Sequence, residues 1–313
     1  MGDAEFSVEL GAREPDPCRA QPGDELLGLD WTRRQLFGAV CRSARWFDGF
    51  FGEERYDEEA RGLRGRVSYG VETRERVGVT RTPRFSARVP LPNVNRRIKL
   101  IIEREDEERS IIGRRESEQG VLTPPPSFEE ESTQIGLGYL RRRLNLRAGV
   151  RLRGGELDPF TQSRYRKEFL QTDNTQWNFS QTLFWRNQEG FGETTTLDFE
   201  AKIGVPVLVR WFNSATWSES TVGLSWFSGV TYYRSLGTGK AFLIEPSVQG
   251  QTDLPVDVSA YGGRVAYRQT LGRDWLIGEA YTGYSWPKSA LGEVRHSQFF
   301  VGLRAELLFG EMP

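Results

Sequence analysis

The sequence has no long apolar run, a single histidine and only two cysteines. No stretch approaches the ~18 apolar residues that a membrane-spanning helix needs, which excludes a helical membrane protein. Without a Cys-x-x-Cys pair, zinc ribbons and thiol redox sites have no support. The chain also lacks a basic excess, with 42 Lys+Arg against 43 Asp+Glu, and this balance argues against a nucleic-acid partner.

Aromatic residues and glycine are abundant, although the chain is polar on average. Aromatic residues make up 12% of the 313 residues, with 9 Trp, and there are 34 Gly. The hydrophobic fraction is only 37% and the mean hydropathy is −0.54. Disordered chains are poor in aromatic residues, so disorder does not explain this composition. It is typical of a β-barrel with an apolar outer face and a polar inner face.

Apolar and polar residues alternate from about residue 63 to residue 310. In the last segment Phe299, Val301 and Leu303 alternate with Phe300, Gly302 and Arg304. Repeated segments of this kind predict an all-β fold, a transmembrane antiparallel up-and-down β-barrel of about fourteen strands. Twelve strands remain an alternative if two weak segments are loops. An even number places both termini on one side, which we expect to be the periplasm, and residues 106–131 are predicted to form a long charged extracellular loop.

Residues 1–62 form a separate acidic segment, with fourteen Asp and Glu against eight Arg. Asp30 is predicted to cap an amphipathic periplasmic helix that runs from Trp31 to about Phe51. The apolar stripe of this helix needs a partner, which could be the barrel lumen, the membrane surface or another protein. Its end, at Phe47, Phe50 and Phe51, is the candidate face for a plug or for a partner.

Cys18 and Cys41 are candidates for a disulfide in an oxidising periplasm, with two unrelated thiols as the alternative. Because such a barrel must be exported, the chain is expected to lack its signal peptide, and Met1-Gly2 to be a cloning start.

The C-terminal strand resembles the β-signal of proteobacterial outer-membrane barrels, at Gly302, Ala305, Leu307 and Phe309. Much of the chain is also similar to a family of uncharacterised gammaproteobacterial outer-membrane proteins, through segments such as residues 46–52 and 214–219. These resemblances imply an outer-membrane location and assembly by the barrel assembly machinery. They imply no activity and transfer no site residue.

Assigning polar strand positions to the lumen gives eighteen basic and eight acidic side chains, an excess of about ten positive charges. Such a lumen could attract anionic solutes or could be closed by the acidic N-terminal segment. The alternative is a network of Arg–Glu pairs that only holds the wall together. The candidate anion-facing residues are Arg84, Arg88, Arg97, Lys99, Arg147, Arg151 and Arg164.

Sites for catalysis, metals and cofactors find little support in the sequence. His296 and Ser297 are adjacent, so on a strand they would point to opposite faces and could not share a proton. We therefore expect no enzyme, no metal and no cofactor. The function predicted is a passive channel or porin-like transporter of the Gram-negative outer membrane, in contact with lipid and lipopolysaccharide. The alternative is a non-conducting scaffold whose helix docks a periplasmic or lipoprotein partner.

Overall fold

A computed structural model of the chain is a closed antiparallel β-barrel. It describes residues 28–49, 63–91, 97–105, 132–141, 143–169, 171–172, 174–204 and 206–310. One helix, α1 (Gly28–Gly49), precedes fourteen strands within these ranges. The strands are β1 (Arg64–Arg74), β2 (Gly78–Pro90), β3 (Ile98–Glu105), β4 (Ser132–Arg141), β5 (Leu144–Arg153), β6 (Glu156–Phe169), β7 (Thr175–Arg186), β8 (Gly190–Lys202), β9 (Val207–Ser218), β10 (Ser225–Gly237), β11 (Lys240–Gln251), β12 (Val258–Thr270), β13 (Leu276–Pro287) and β14 (Gln298–Gly310).

The barrel closes where β1 pairs with β14, so that Arg64 lies opposite Gly310. Because the number of strands is even, β1 begins and β14 ends at the same end of the barrel, hereafter the terminal end. The fold class and the fourteen strands predicted from alternation are confirmed. The predicted loop 106–131 lies outside the described residues.

Three strands begin four or five residues earlier than the alternation indicated: β2 at Gly78, β6 at Glu156 and β8 at Gly190. In β6 the added residues include Pro159, which reads as a loop residue because proline cannot donate a backbone hydrogen bond. Gly154 and Gly155, with φ of 56° and 90°, form the tight turn that brings β6 directly back along β5.

The two faces of the wall differ in chemistry and burial. On β14, Phe299, Val301 and Leu303 are exposed on the outer face, whereas Phe300 and Glu306 on the inner face are buried. The buried polar side chains of neighbouring strands pair with one another on the inner face, as Arg268 does with Glu306 at 2.7 Å. An apolar outer face and a charged inner face are the pattern of outer-membrane barrels.

Helix α1 begins earlier than predicted, at Gly28. Asp30 is therefore not the N-cap; it lies in the first turn, and its carboxylate forms an ion pair with Arg273 at 3.6 Å. The helix ends at Gly49, and Phe50 and Phe51 lie outside the described residues, as does the side chain of Phe47. No helix in the described ranges is long and apolar enough to cross a membrane.

The described side chains of α1 pack on the outside of the barrel. Leu36, Phe37 and Val40 pack in one apolar cluster with Ala87, Val89, Leu307 and Phe309, all on the outer face of β2 and β14. Arg33 donates a hydrogen bond to the carbonyl of Leu308 at 3.1 Å and lies 5.4 Å over the Trp275 ring. Burial lowers the pKa of Arg33, an effect that the Asp30 carboxylate opposes. This part of the helix therefore packs on the outer wall of its own barrel, which was not among the three predicted partners.

Cys41 lies at the centre of this helix–wall contact. It is buried and disulfide-bonded. Its predicted partner, Cys18, lies outside the described residues. The bond therefore ties α1, at the point where it meets the barrel, to another part of the chain.

Candidate lumen site

Six of the seven candidate anion-facing residues lie on the inner face of one sector of the wall. They come from four strands: Arg84 and Arg88 from β2, Lys99 from β3, Arg147 and Arg151 from β5, and Arg164 from β6. Arg97 is placed differently. It precedes β3, and its guanidinium donates to the hydroxyl of Tyr139 at 3.4 Å, on the outer side of the rim. The sequence could not reveal this because alternation applies only within a strand.

Glu103 is the acidic centre of this sector and is 2% exposed. Its carboxylate accepts hydrogen bonds from Arg88 at 3.2 Å, from Gln134 at 2.9 Å and from Arg147 at 3.4 Å. Arg164 lies nearby, 1% exposed, and donates to the hydroxyl of Thr182 at 3.0 Å. Arg147, Arg166 and Arg88 are neighbours of like charge to Arg164, and Glu103 is a neighbour of opposite charge.

These residues form the Glu103 cluster: Arg88 and Arg147 contact the Glu103 carboxylate, and Arg164 lies within its electrostatic reach. Among these side chains the guanidiniums outnumber the carboxylate. A guanidinium presents a planar fork of donors that matches carboxylate and phosphate oxygens. An electropositive cluster inside a low-dielectric wall also focuses the field and raises the local concentration of anions.

The rim at the terminal end is basic too. Arg64, Lys99, Arg166 and Lys202 are exposed inner-face residues close to the ends of β1, β3, β6 and β8. Glu168 is the exposed acidic residue among them on β6. An anion arriving at this end would meet these side chains before it reached the Glu103 cluster.

The opposite side of the barrel is close to electrical balance. Arg264 pairs with Glu245 and lies 3.6 Å from Glu279, and Arg304 lies 3.5 Å from the same Glu279 carboxylate. Further along this network, Glu306 pairs with Arg66 at 2.7 Å and with Arg268 at 2.7 Å. These pairs join strands one or two places apart and run along the wall. The expected Arg–Glu network is thus present in this sector.

Two acidic residues that the sequence analysis missed complete a third group, at the opposite end from the rim. Arg151 pairs with Asp158, which is 0% exposed, and also lies 3.4 Å from Glu189. Glu189 in addition accepts a hydrogen bond from Arg186 at 2.6 Å. Asp158 was missed because β6 was predicted to begin after it, and Glu189 because it lies in the turn between β7 and β8. Arg151 therefore contributes to a structural ion pair rather than to the Glu103 cluster.

The predicted assembly-signal residues all lie on β14. Leu307 and Phe309 are 8% and 2% exposed because α1 covers them, whereas Ala305 is exposed. Gly302 faces the Tyr281 ring, and an added Cβ would stand 2.3 Å from the ring. His296 and Ser297 lie in the segment before β14. Within the described part of the chain, no group of three or more His, Cys, Asp or Glu residues is placed to hold a metal ion.

Comparison with known proteins returns fold-level likenesses only. No family model and no curated protein matches the chain. Among solved structures, OccK2 (OpdF) of Pseudomonas aeruginosa has a TM-score of 0.47 at 9% identity, over 80% of this chain and 98% of that chain. OmpT of Vibrio cholerae has a TM-score of 0.46 at 10% identity, over 79% and 97%. The KdgM porin in complex with disordered oligogalacturonate has a TM-score of 0.38 at 6% identity, over 77% and 98%.

Proposed function

We propose that the protein is a passive outer-membrane channel of a Gram-negative bacterium, with a lumen that favours anionic solutes. The observation that carries the proposal is the Glu103 cluster, in which the guanidiniums of Arg88, Arg147 and Arg164 lie near one carboxylate, behind a rim of exposed basic residues. Both termini would then face the periplasm, and transport would need no catalytic residue or cofactor. A balanced Arg–Glu network elsewhere would give the wall its rigidity without adding net charge.

The direct test is single-channel conductance of the full-length chain in a planar bilayer under a salt gradient. Anion selectivity is expected from the reversal potential. Arg166→Glu changes the charge of an exposed inner-face residue and should lower the anion-to-cation permeability ratio. Lys167→Glu makes the same change in charge at the next residue, which points outward because side chains alternate along a strand, and should leave selectivity unchanged.

Cation selectivity, or equal effects of the two substitutions, would refute the anion-favouring lumen. Silence from the full-length chain, with folding confirmed by heat-modifiable migration, would instead indicate a closed lumen. The acidic N-terminal segment is the candidate for closing it.

We infer that residues 1–27 are the part of the N-terminal segment suited to act as a plug. They contain seven acidic residues and two arginines, and they join α1 beside Arg273 at the basic terminal end. Leu36, Phe37, Val40 and Cys41 of α1 pack on the outer wall, and we therefore place the plug in residues 1–27 rather than in this part of the helix. Deleting residues 1–27 should raise the conductance of each step above that of the full-length chain measured in reductant, which also lacks the Cys41 bond, and unchanged steps would refute plugging.

A further inference from the structure

An apolar groove of about 850 Å³ crosses the outer wall from β3 to β9. Its middle is lined by short side chains, Ala148 on β5 and Thr161 and Ser163 on β6, and larger ones stand on either side, such as Tyr139 and Trp185. Ala148 and Thr161 are direct cross-strand partners, so the groove runs across the strands. Its volume lies within the range of small-molecule sites, roughly 300–1,000 Å³.

One end of this groove holds a carboxylate that faces away from the lumen. Glu193 on β8 is exposed, and its direct cross-strand partners are Leu183 and Trp217. Gln181 donates a hydrogen bond to its Oε2 at 3.1 Å, and Thr195 in turn donates to Gln181 at 2.6 Å. A carboxylate is an acceptor only, with room for several donors, and it is costly on a lipid-facing wall unless a cation or further donors reach it.

Aromatic rings surround this carboxylate. Trp217 lies directly opposite Glu193, and Phe191 and Trp185 lie on the next row of the same groove. Trp217 and Phe191 are 45% and 61% exposed, so their rings are open to the outside of the barrel. A carboxylate beside aromatic faces is the combination that recognises an ammonium group, through charge and through cation–π contact.

We propose that this groove binds a lipid that carries a primary ammonium group, with one acyl chain along the apolar groove and the ammonium at Glu193. Charge complementarity favours this occupant over a second copy of the chain. A two-fold contact centred on the groove would press each Glu193 against the apolar far end of the other groove, around Ile98 and Leu137, and burying a carboxylate against apolar side chains is costly. The site lies on the outer face, so the proposal does not depend on conduction through the lumen.

The headgroup part is tested by native mass spectrometry of the full-length protein in detergent. The probes are dioleoyl phosphatidylethanolamine and dioleoyl phosphatidylglycerol, which share their acyl chains. We expect a preference of roughly tenfold for the ethanolamine lipid, as for a charge-assisted hydrogen bond. Glu193→Gln should abolish that preference, whereas Asp274→Asn, the same change in charge in an exposed turn at the terminal end, should retain it.

The groove itself is tested by Ala148→Phe, which fills its middle and should weaken the binding of both lipids. Val265→Phe adds the same ring to an exposed outer-face position on β12 and should have no effect. Equal binding of the two lipids by the unmodified protein, or a preference that survives Glu193→Gln, overturns the headgroup assignment. A dimer mass in place of lipid adducts, lost on Ala148→Phe, would overturn the proposal in favour of a second copy.

Discussion

The Glu103 cluster predicts that Glu103→Gln lowers stability and raises anion selectivity at once. The carboxylate is 2% exposed and accepts hydrogen bonds from two guanidiniums and one amide, at 2.9 to 3.4 Å. Glutamine keeps one acceptor oxygen but removes the charge, and its amide group would face guanidinium donors. Arg88 and Arg147 would then lose the carboxylate that both contact.

The expected cost follows from burial. Breaking a buried ion pair by removing one partner costs about 3–5 kcal/mol. The retained oxygen of glutamine and the 37% exposure of the Arg88 side chain, which lets water reach it, place this substitution near the lower end, at about 3 kcal/mol. That free energy corresponds to a change of roughly 150-fold in the ratio of folded to unfolded protein.

The assay is equilibrium unfolding in urea, with the protein folded into lipid vesicles, alongside the reversal potential in a planar bilayer. Glu168→Gln is the matched control, because Glu168 lies on the same face of β6 but is exposed at the rim. It should cost less than about 0.5 kcal/mol. If Glu103→Gln lowers the free energy of unfolding no more than this control does, lumen water rather than Glu103 stabilises Arg88 and Arg147, and the reasoning fails.

Three further predictions concern the wall, the helix and a loop. Gly149→Ala should sharply reduce the yield of folded barrel, because its Cβ would stand 2.3 Å from the Ile135 carbonyl; Gly263→Ala, with 3.7 Å to its nearest atom, is the control in a heat-modifiability assay. A peptide map without reductant should recover Cys18 linked to Cys41, and reduction should expose α1 to protease while the barrel stays folded; recovery of free Cys18 would contradict the pairing. Backbone N–H groups of Ser289 and Ala290 lower the pKa of Glu293 in the β13–β14 connection. The ionised carboxylate should therefore hold the connection in order above the ordinary glutamate pKa, about 4.3. This order should be lost as the pH falls through the lower pKa that Glu293 has in the folded protein. Hydrogen exchange of residues 288–297 would check this, and a pH response that persists in Glu293→Gln would contradict it.

Strand number and strand faces follow from the sequence because the side-chain period of a strand is two. Arg88, Lys99, Arg147 and Arg164 are on the inner face, where alternation put them. Prediction failed at the strand ends, where turns override the pattern. Asp158 follows the Gly154-Gly155 turn, and Arg97 precedes the first residue of β3, so alternation misjudged both.

Which charges neutralise one another was decided only by the tertiary structure. Arg147 and Arg151 lie on the same face of β5. Arg147 nevertheless belongs to the Glu103 cluster, whereas Arg151 pairs with Asp158. Their partners come from other strands, and the relative shift of those strands is set by turn lengths and barrel closure, not by local alternation.

The position of α1 was also decided only by the tertiary structure. Amphipathic spacing indicated that the helix needs an apolar partner, but it could not identify the outer wall around Leu307 and Phe309 as that partner. Those two residues read as lipid-facing in the sequence, because every outward residue of a barrel does. Only the folded chain shows that the helix returns to cover them, since the contact joins residues about 270 positions apart, at a separation where no local pattern carries information.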